Sequence, residues 1–146
     1  MLKQRKKEFL LSYLAGMIIG MYIVIAGFHF YWGIGGKMGI DLVIPKKGNI
    51  PMFNPGKLLT LFVALLSLGF ALVFYLLYFD VFLSSELIYV GWMISGLFVL
   101  RSIGEFNAVG FFKKIKHSEF AKYDTRFFSP LCLLLGLGSA MITYQA

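Results

Sequence analysis

Charge is the scarcest property of this sequence. Asp, Glu, Lys and Arg together make up 14% of its 146 residues, against roughly 25% in an ordinary soluble domain. Hydrophobic residues fill 59%, which leaves too little polar surface to cover a soluble globule. The single cysteine, Cys132, excludes a disulfide within the chain and a two-cysteine redox pair. The two histidines, His29 and His117, lie too far from each other and from Cys132 to form a metal signature. Every Asp and Glu falls near the end of an apolar run or in a connection, so the deep carboxylate that proton-coupled transport uses is missing. Gly33, Gly35 and Gly36 suggest a nucleotide loop, but the required spacing puts Met38 where a third glycine belongs. Gly36-Lys37 and Gly56-Lys57 lack the upstream glycine of a phosphate loop. The net charge of +7 is accounted for by residues flanking apolar runs, so no nucleic-acid partner is expected.

What the sequence has in abundance is long uncharged stretches. At about 1.5 Å per helical residue, about twenty residues cross a hydrocarbon core of about 30 Å. The run from Phe9 to Gly36 exceeds that length, and Leu58 to Phe79, Leu87 to Leu100 extending toward Gly104, and Phe127 to Tyr144 meet or approach it. The reading is an all-α, polytopic membrane protein of one domain, residues 1–146. Its four transmembrane helices, at approximately 9–32, 58–79, 84–104 and 127–144, form an antiparallel bundle. Lys3, Arg5, Lys6 and Lys7 before the first run imitate a secretory leader, but a leader's apolar core spans only about 7 to 15 residues. The first run is therefore expected to be a retained helix.

The connections differ in character. Gly33 to Lys57 carries a density of glycine and proline, including Gly39, Pro45, Gly48, Pro51 and Pro55, that breaks both helix and strand. The second connection is short: Asp80 closes one helix, and Ser84 or Ser85 caps the next with Glu86 at its positive end. The third, about Glu105 to Arg126, mixes Phe111, Phe112 and Ile115 with Lys113, Lys114 and Lys116, a composition suited to the headgroup layer. Ser129 followed by Pro130 reads as the cap and first turn of the last helix. Lys46, Lys47, Lys113, Lys114 and Lys116 are expected to meet anionic headgroups.

With four spans, the first and third connections emerge on one side, together with the ends of the helices they join. That side collects His29, Trp32, Arg101, Glu105, Asp124 and Arg126 as candidate ligand-binding residues. It also holds more Lys and Arg than the basic tail opposite, while the tail's position beside the first helix argues for the reverse orientation. His29 is either an interfacial histidine bonded to a carbonyl or a group that orients a ligand or moves a proton. Arg101 either forms a structural ion pair with Glu105, one turn on, or Asp124, or clamps an anion through its planar fork. Gly16, Gly20 and Gly27 fall on one stripe of the first helix, and Gly91, Ser95 and Ser102 on one stripe of the third. Small residues let membrane helices approach closely. The stripes are expected to be contacts within the bundle, with a homo-oligomer or a membrane-protein partner as the alternative use.

Four stretches carry a resemblance. They are His29-Phe-Tyr-Trp32-Gly-Ile-Gly35-Gly36; Val43-Ile-Pro45; Arg101-Ser-Ile-Gly104-Glu105-Phe-Asn-Ala-Val-Gly110-Phe-Phe112-Lys-Lys; and Phe120-Ala-Lys-Tyr-Asp124-Thr125-Arg126-Phe-Phe-Ser129-Pro130-Leu131-Cys132. Together they resemble a family of small four-helix bacterial integral membrane proteins catalogued as a domain of unknown function (family 3995). The family pattern has aspartate where this chain has Glu105. The resemblance implies the fold and a bacterial plasma-membrane location, and leaves activity and cofactor unassigned. The expectation for function is accordingly an integral membrane protein that binds a small amphipathic or anionic ligand, or a lipid headgroup, in a polar pocket beneath the two long connections. The alternatives are a structural or accessory subunit and a lipid-modifying enzyme with His29 as base.

Overall fold

In a computed structural model, residues 2–47, 50–81 and 84–146 are described. Gly48 of the first connection lies outside them, as do the side chains of Lys3 and Lys7. The elements run α1 (Leu2–Gly33), α2 (Ile40–Val43), β1 (Lys46–Lys47), β2 (Ile50–Pro51), α3 (Lys57–Phe79), α4 (Ser85–Ile103), α5 (Glu119–Tyr123), a π-helical turn (Asp124–Phe128) and α6 (Ser129–Gln145). The fold is an all-α four-helix bundle. Among the described residues, four segments are long and apolar enough to cross a membrane: Glu8–Gly33, Lys57–Phe79, Ser85–Ile103 and Glu119–Gln145. Large apolar side chains such as Leu58, Met93 and Leu137 point outward along them, as a hydrocarbon surround requires.

The helix ends follow local chemistry. Asp80 stops α3 in the left-handed conformation at φ 53°, one that aspartate tolerates better than most residues. Ser84 caps α4 by accepting the Leu87 N–H at 3.2 Å, satisfying an orphan donor of the first turn. The first connection is more ordered than its glycines and prolines suggest. Within it α2 forms one turn, and Lys46–Lys47 pairs antiparallel with Ile50–Pro51.

Packing is organised in two extensive pairs, α1 with α3 and α4 with α6, while α3 and α4 touch less despite their short connection. One residue joins all four helices. Tyr22 of α1 is fully buried, stacks on Phe74 of α3 at 5.6 Å and meets Phe98 of α4 edge-on at 5.3 Å. Its hydroxyl lies 2.9 Å from Ser139 Oγ of α6, which removes the cost of burying the polar tip.

The small-residue stripes divide. Gly91 of α4 lies against Thr143 and Leu77, where an added Cβ would come within 2.6 Å of Thr143 Oγ1. Ser95 is buried beside it and donates to Gly91 O at 2.7 Å. Gly16, Gly20 and Gly27 have nothing within 4 Å of an added Cβ, which corrects the expectation that they are contacts of this bundle. The close approach to α1 is instead made by Gly138 of α6, against Ile18. A Cβ added to Gly136 of α6 would meet the backbone of α4 itself, 2.9 Å from Val99 N and 3.0 Å from Ser95 O. A methyl there has no flexible neighbour to displace. Gly136→Ala should therefore cost about 1–3 kcal/mol through overpacking, whereas Gly16→Ala should be neutral or gain up to about 1 kcal/mol of helix propensity. Detergent melting of the two variants checks this; equal losses would contradict the assignment of contacts.

Candidate functional site

The last span begins earlier than the Ser129-Pro130 pair suggests. Ser118 is the cap, accepting the Ala121 N–H at 3.1 Å, and Glu119 sits favourably in the first turn of α5. The chain then continues through the π-helical turn into α6 without a break, the Ser129 N–H bonding Asp124 O five residues back. Pro130 lacks an N–H, and its ring would crowd the Arg126 carbonyl in a regular helix. The widened turn just before it accommodates both defects. Ser129 is consequently helical and not a cap, and its hydroxyl turns inward to donate to Asp124 Oδ2 at 3.2 Å.

Asp124 has no exposed surface. Its Oδ1 accepts Arg101 Nη2 at 3.0 Å; its Oδ2 accepts the Gly110 N–H at 2.8 Å and Lys113 Nζ at 2.9 Å as well as Ser129. Four donors equal in number the roughly four acceptor sites that a carboxylate offers, although three of them crowd onto Oδ2. Lys113 is equally saturated: its ammonium also donates to Gly110 O at 2.8 Å and Thr125 Oγ1 at 2.6 Å, using all three protons. Its side chain is 1% exposed, which corrects its expected place among the headgroup-facing lysines. Lys113 fills the space beneath the third connection where a polar pocket was expected.

The backbone of residues 104–110 must double back for this to happen. Gly104 and Gly110 both have φ 89°, and a Cβ on Gly104 would overlap Val109 O, while one on Gly110 would overlap Ile103 O and Gly104. Only glycine meets both demands. Ending α4 at Ile103 also removes Glu105 from the helix, so it does not pair with Arg101 one turn back. Its Oε1 accepts the Ala108 N–H at 3.0 Å and closes the first turn of the loop.

The other candidates are placed differently. His29 Nδ1 is 2.8 Å from Ile25 O of its own helix, and its ring meets Trp32 edge-on at 5.4 Å. Trp32 Nε1 donates to Met38 O at 2.9 Å, tying the start of the first connection to α1. Arg126 is exposed on the π-helical turn and makes no ion pair among the described residues. The two long connections do meet, through α2 packed on α5. Among the described residues, no three His, Cys, Asp or Glu side chains gather as a metal centre would need. Clefts lined by Arg5, Phe9, Ser12 and Tyr78, and by Ser84, Ser85 and Trp92, lie at the opposite end of the bundle.

Sequence reasoning missed Lys113, Gly110, Thr125 and Ser129. Arg101 was legible, but its role is asymmetric: it shares Asp124 with a second cation, so the cluster holds one carboxylate against two basic groups. Arg101 Nη1 is buried and has no acceptor among the described residues. Removing Arg101 leaves Asp124 matched with Lys113, whereas removing Lys113 takes away a fully desolvated partner. Lys113→Met should therefore cost about 3–5 kcal/mol, and Arg101→Gln clearly less. Thermal or denaturant unfolding of both variants in one detergent is the check; an equal or reversed ranking would contradict the placement of Lys113 in the cluster.

No curated protein and no solved structure gives a significant match to the chain. One family model does match, over residues 22–139, from the Tyr22 layer of α1 to Ser139 of α6, and encloses the whole Asp124 cluster. The chain belongs to that family, described as "Protein of unknown function (DUF3995)".

Proposed function

We propose that this protein is a multi-pass protein of the bacterial plasma membrane that holds the anionic group of a small amphipathic molecule, such as a lipid phosphate or carboxylate, at its loop-bearing end. Arg101 is the anion partner. The observation that carries the reading is its orphan donor: a buried guanidinium nitrogen without an acceptor among the described residues, in a cluster already one positive charge in excess. Such a donor costs about 1–3 kcal/mol while unpaired. A phosphate or carboxylate oxygen would recover that cost and balance the charge, in the forked geometry guanidinium favours. Asp124 holds Arg101 in place in this reading, because its own oxygens are taken. Trp32 and His29 brace the first connection, Arg126 adds positive potential, and membrane lipids are the first ligands to consider.

Binding is favoured over catalysis on one point. The lipid-modifying alternative needs His29 as a base beside the anion site, yet the contacts of His29 are with Ile25 O of its own helix and the Trp32 ring, and none joins it to Arg101 or Asp124 among the described residues. A specific observation does favour the second reading, a structural or accessory subunit. Gly16, Gly20 and Gly27 present an open face on α1, the kind of surface membrane helices use to approach one another.

Native mass spectrometry of the full chain in mild detergent separates the readings. The parent protein should retain a phosphate- or carboxylate-bearing molecule that Arg101→Gln loses about tenfold or more, equivalent to about 1.4 kcal/mol. A parent protein without such a molecule would defeat the binding reading. A protein partner retained equally by parent and variant would favour the accessory role.

A further inference from the structure

The loop between α4 and α5 is turned inside out. Lys113 is buried while its neighbour Phe112 is 65% exposed, and Phe106, its ring 6.4 Å from that of Phe112, is 56% exposed. In water the opposite placement would win, because an exposed phenyl ring forfeits burial worth about 1.5–3 kcal/mol and a buried ammonium must be compensated. An apolar surround removes the first penalty. The stretch of the loop around Phe112 meets much of the condition such a surround imposes, that irregular chain near hydrocarbon must find its partners inside the protein. The Gly110 N–H is held by Asp124, the Phe111 N–H donates to Ser102 O at 2.9 Å, and the Lys114 and Ile115 N–H groups donate to Asn107 O at 3.0 and 2.9 Å.

From this inverted polarity we propose that residues 104–117 form a wedge seated in the membrane leaflet at the loop-bearing end, with the Phe106/Phe112 pair at the boundary of the acyl chains. Charge identifies the leaflet. Lys114 and Lys116 are exposed on either side of the half-buried Ile115, next to the aromatic pair, and basic side chains in that position favour anionic headgroups. The buried Lys113–Asp124 pair is the fixture that keeps the rings facing outward. The inference stands apart from ligand binding at Arg101, since it concerns the outer surface of the loop and not the cluster beneath it.

A single-tryptophan reporter tests it. The full chain carrying Trp32→Phe, Trp92→Phe and Phe112→Trp is reconstituted in vesicles of phosphatidylcholine with phosphatidylglycerol. Lipids brominated near the headgroup end of the acyl chain should quench the emission strongly, those brominated near the chain terminus less, and aqueous iodide little. Strong iodide quenching without bromolipid quenching would overturn the proposal by placing the rings in water. Protection from both quenchers would also overturn it, because a second copy or a partner protein would then cover the loop. Should the tryptophan exchanges unfold the protein, Phe112→Cys in a Cys132→Ser background carries a spin label instead. Greater collisional access for oxygen than for a water-soluble nickel complex supports the wedge, and the reverse order overturns it. Lys114→Gln with Lys116→Gln should move the reporter toward water in anionic vesicles and have little effect in neutral ones; an equal effect in both would remove the charge argument.

Discussion

A carboxylate with no exposed surface has to be compensated where it stands, and the loop-bearing half of this bundle is built around compensating Asp124. Four donors converge on it from three parts of the chain: Arg101 from the end of α4, Gly110 and Lys113 from the following loop, and Ser129 from the start of α6. The gross attraction is large, but so is the desolvation, and buried ion pairs of this kind are weak net sources of stability. What the cluster contributes is position. Lys113 can pair with Asp124 only if the chain reverses at Gly104 and Gly110, and that reversal sends Phe106 and Phe112 outward and Glu105 away from Arg101.

The other half of the fold depends on packing. Tyr22, Phe70, Phe74 and Phe98 fill the centre, and Gly91, Gly136 and Gly138 let α6 approach its neighbours closely. Where helices have no hydrophobic drive toward one another, close van der Waals contact and a few internal hydrogen bonds hold them; the Tyr22 and Ser139 hydroxyls supply one such bond. The two halves meet in α6, which carries Ser129 at one end and Ser139 toward the other. The cluster's excess positive charge then falls at the bundle end that also carries Lys46, Lys47, Lys114 and Lys116. This is the physical basis of the proposal that an anionic group is held there.

The four spans were legible in the sequence because length and lack of charge suffice to define them, and Asp80 and Ser84 behaved as their chemistry predicts. The start of the last helix was not. Ser129-Pro130 has the form of a cap, and nothing local shows that a π-helical turn absorbs the proline while Ser118 caps instead. Lys113 was misread for a related reason. In Lys113-Lys114-Ile115-Lys116 each lysine looks alike, and only the long-range partner, eleven residues on at Asp124, distinguishes the first. The glycine stripe of α1 showed that small residues share a face, but spacing does not say which face meets a neighbour within the chain. The two glycines that mattered most to α6, Gly136 and Gly138, lay outside both stripes considered.

The central claim, that the Lys113–Asp124 pair fixes the loop over the bundle, is tested most directly by hydrogen exchange across residues 104–117 in a membrane mimic. The account predicts that the amides of Gly110, Phe111, Lys114 and Ile115 exchange orders of magnitude more slowly than an unstructured chain, and that Lys113→Met removes this protection while the Tyr22 layer keeps its own. Fast exchange of these amides in the parent protein, or protection untouched by Lys113→Met, would contradict it.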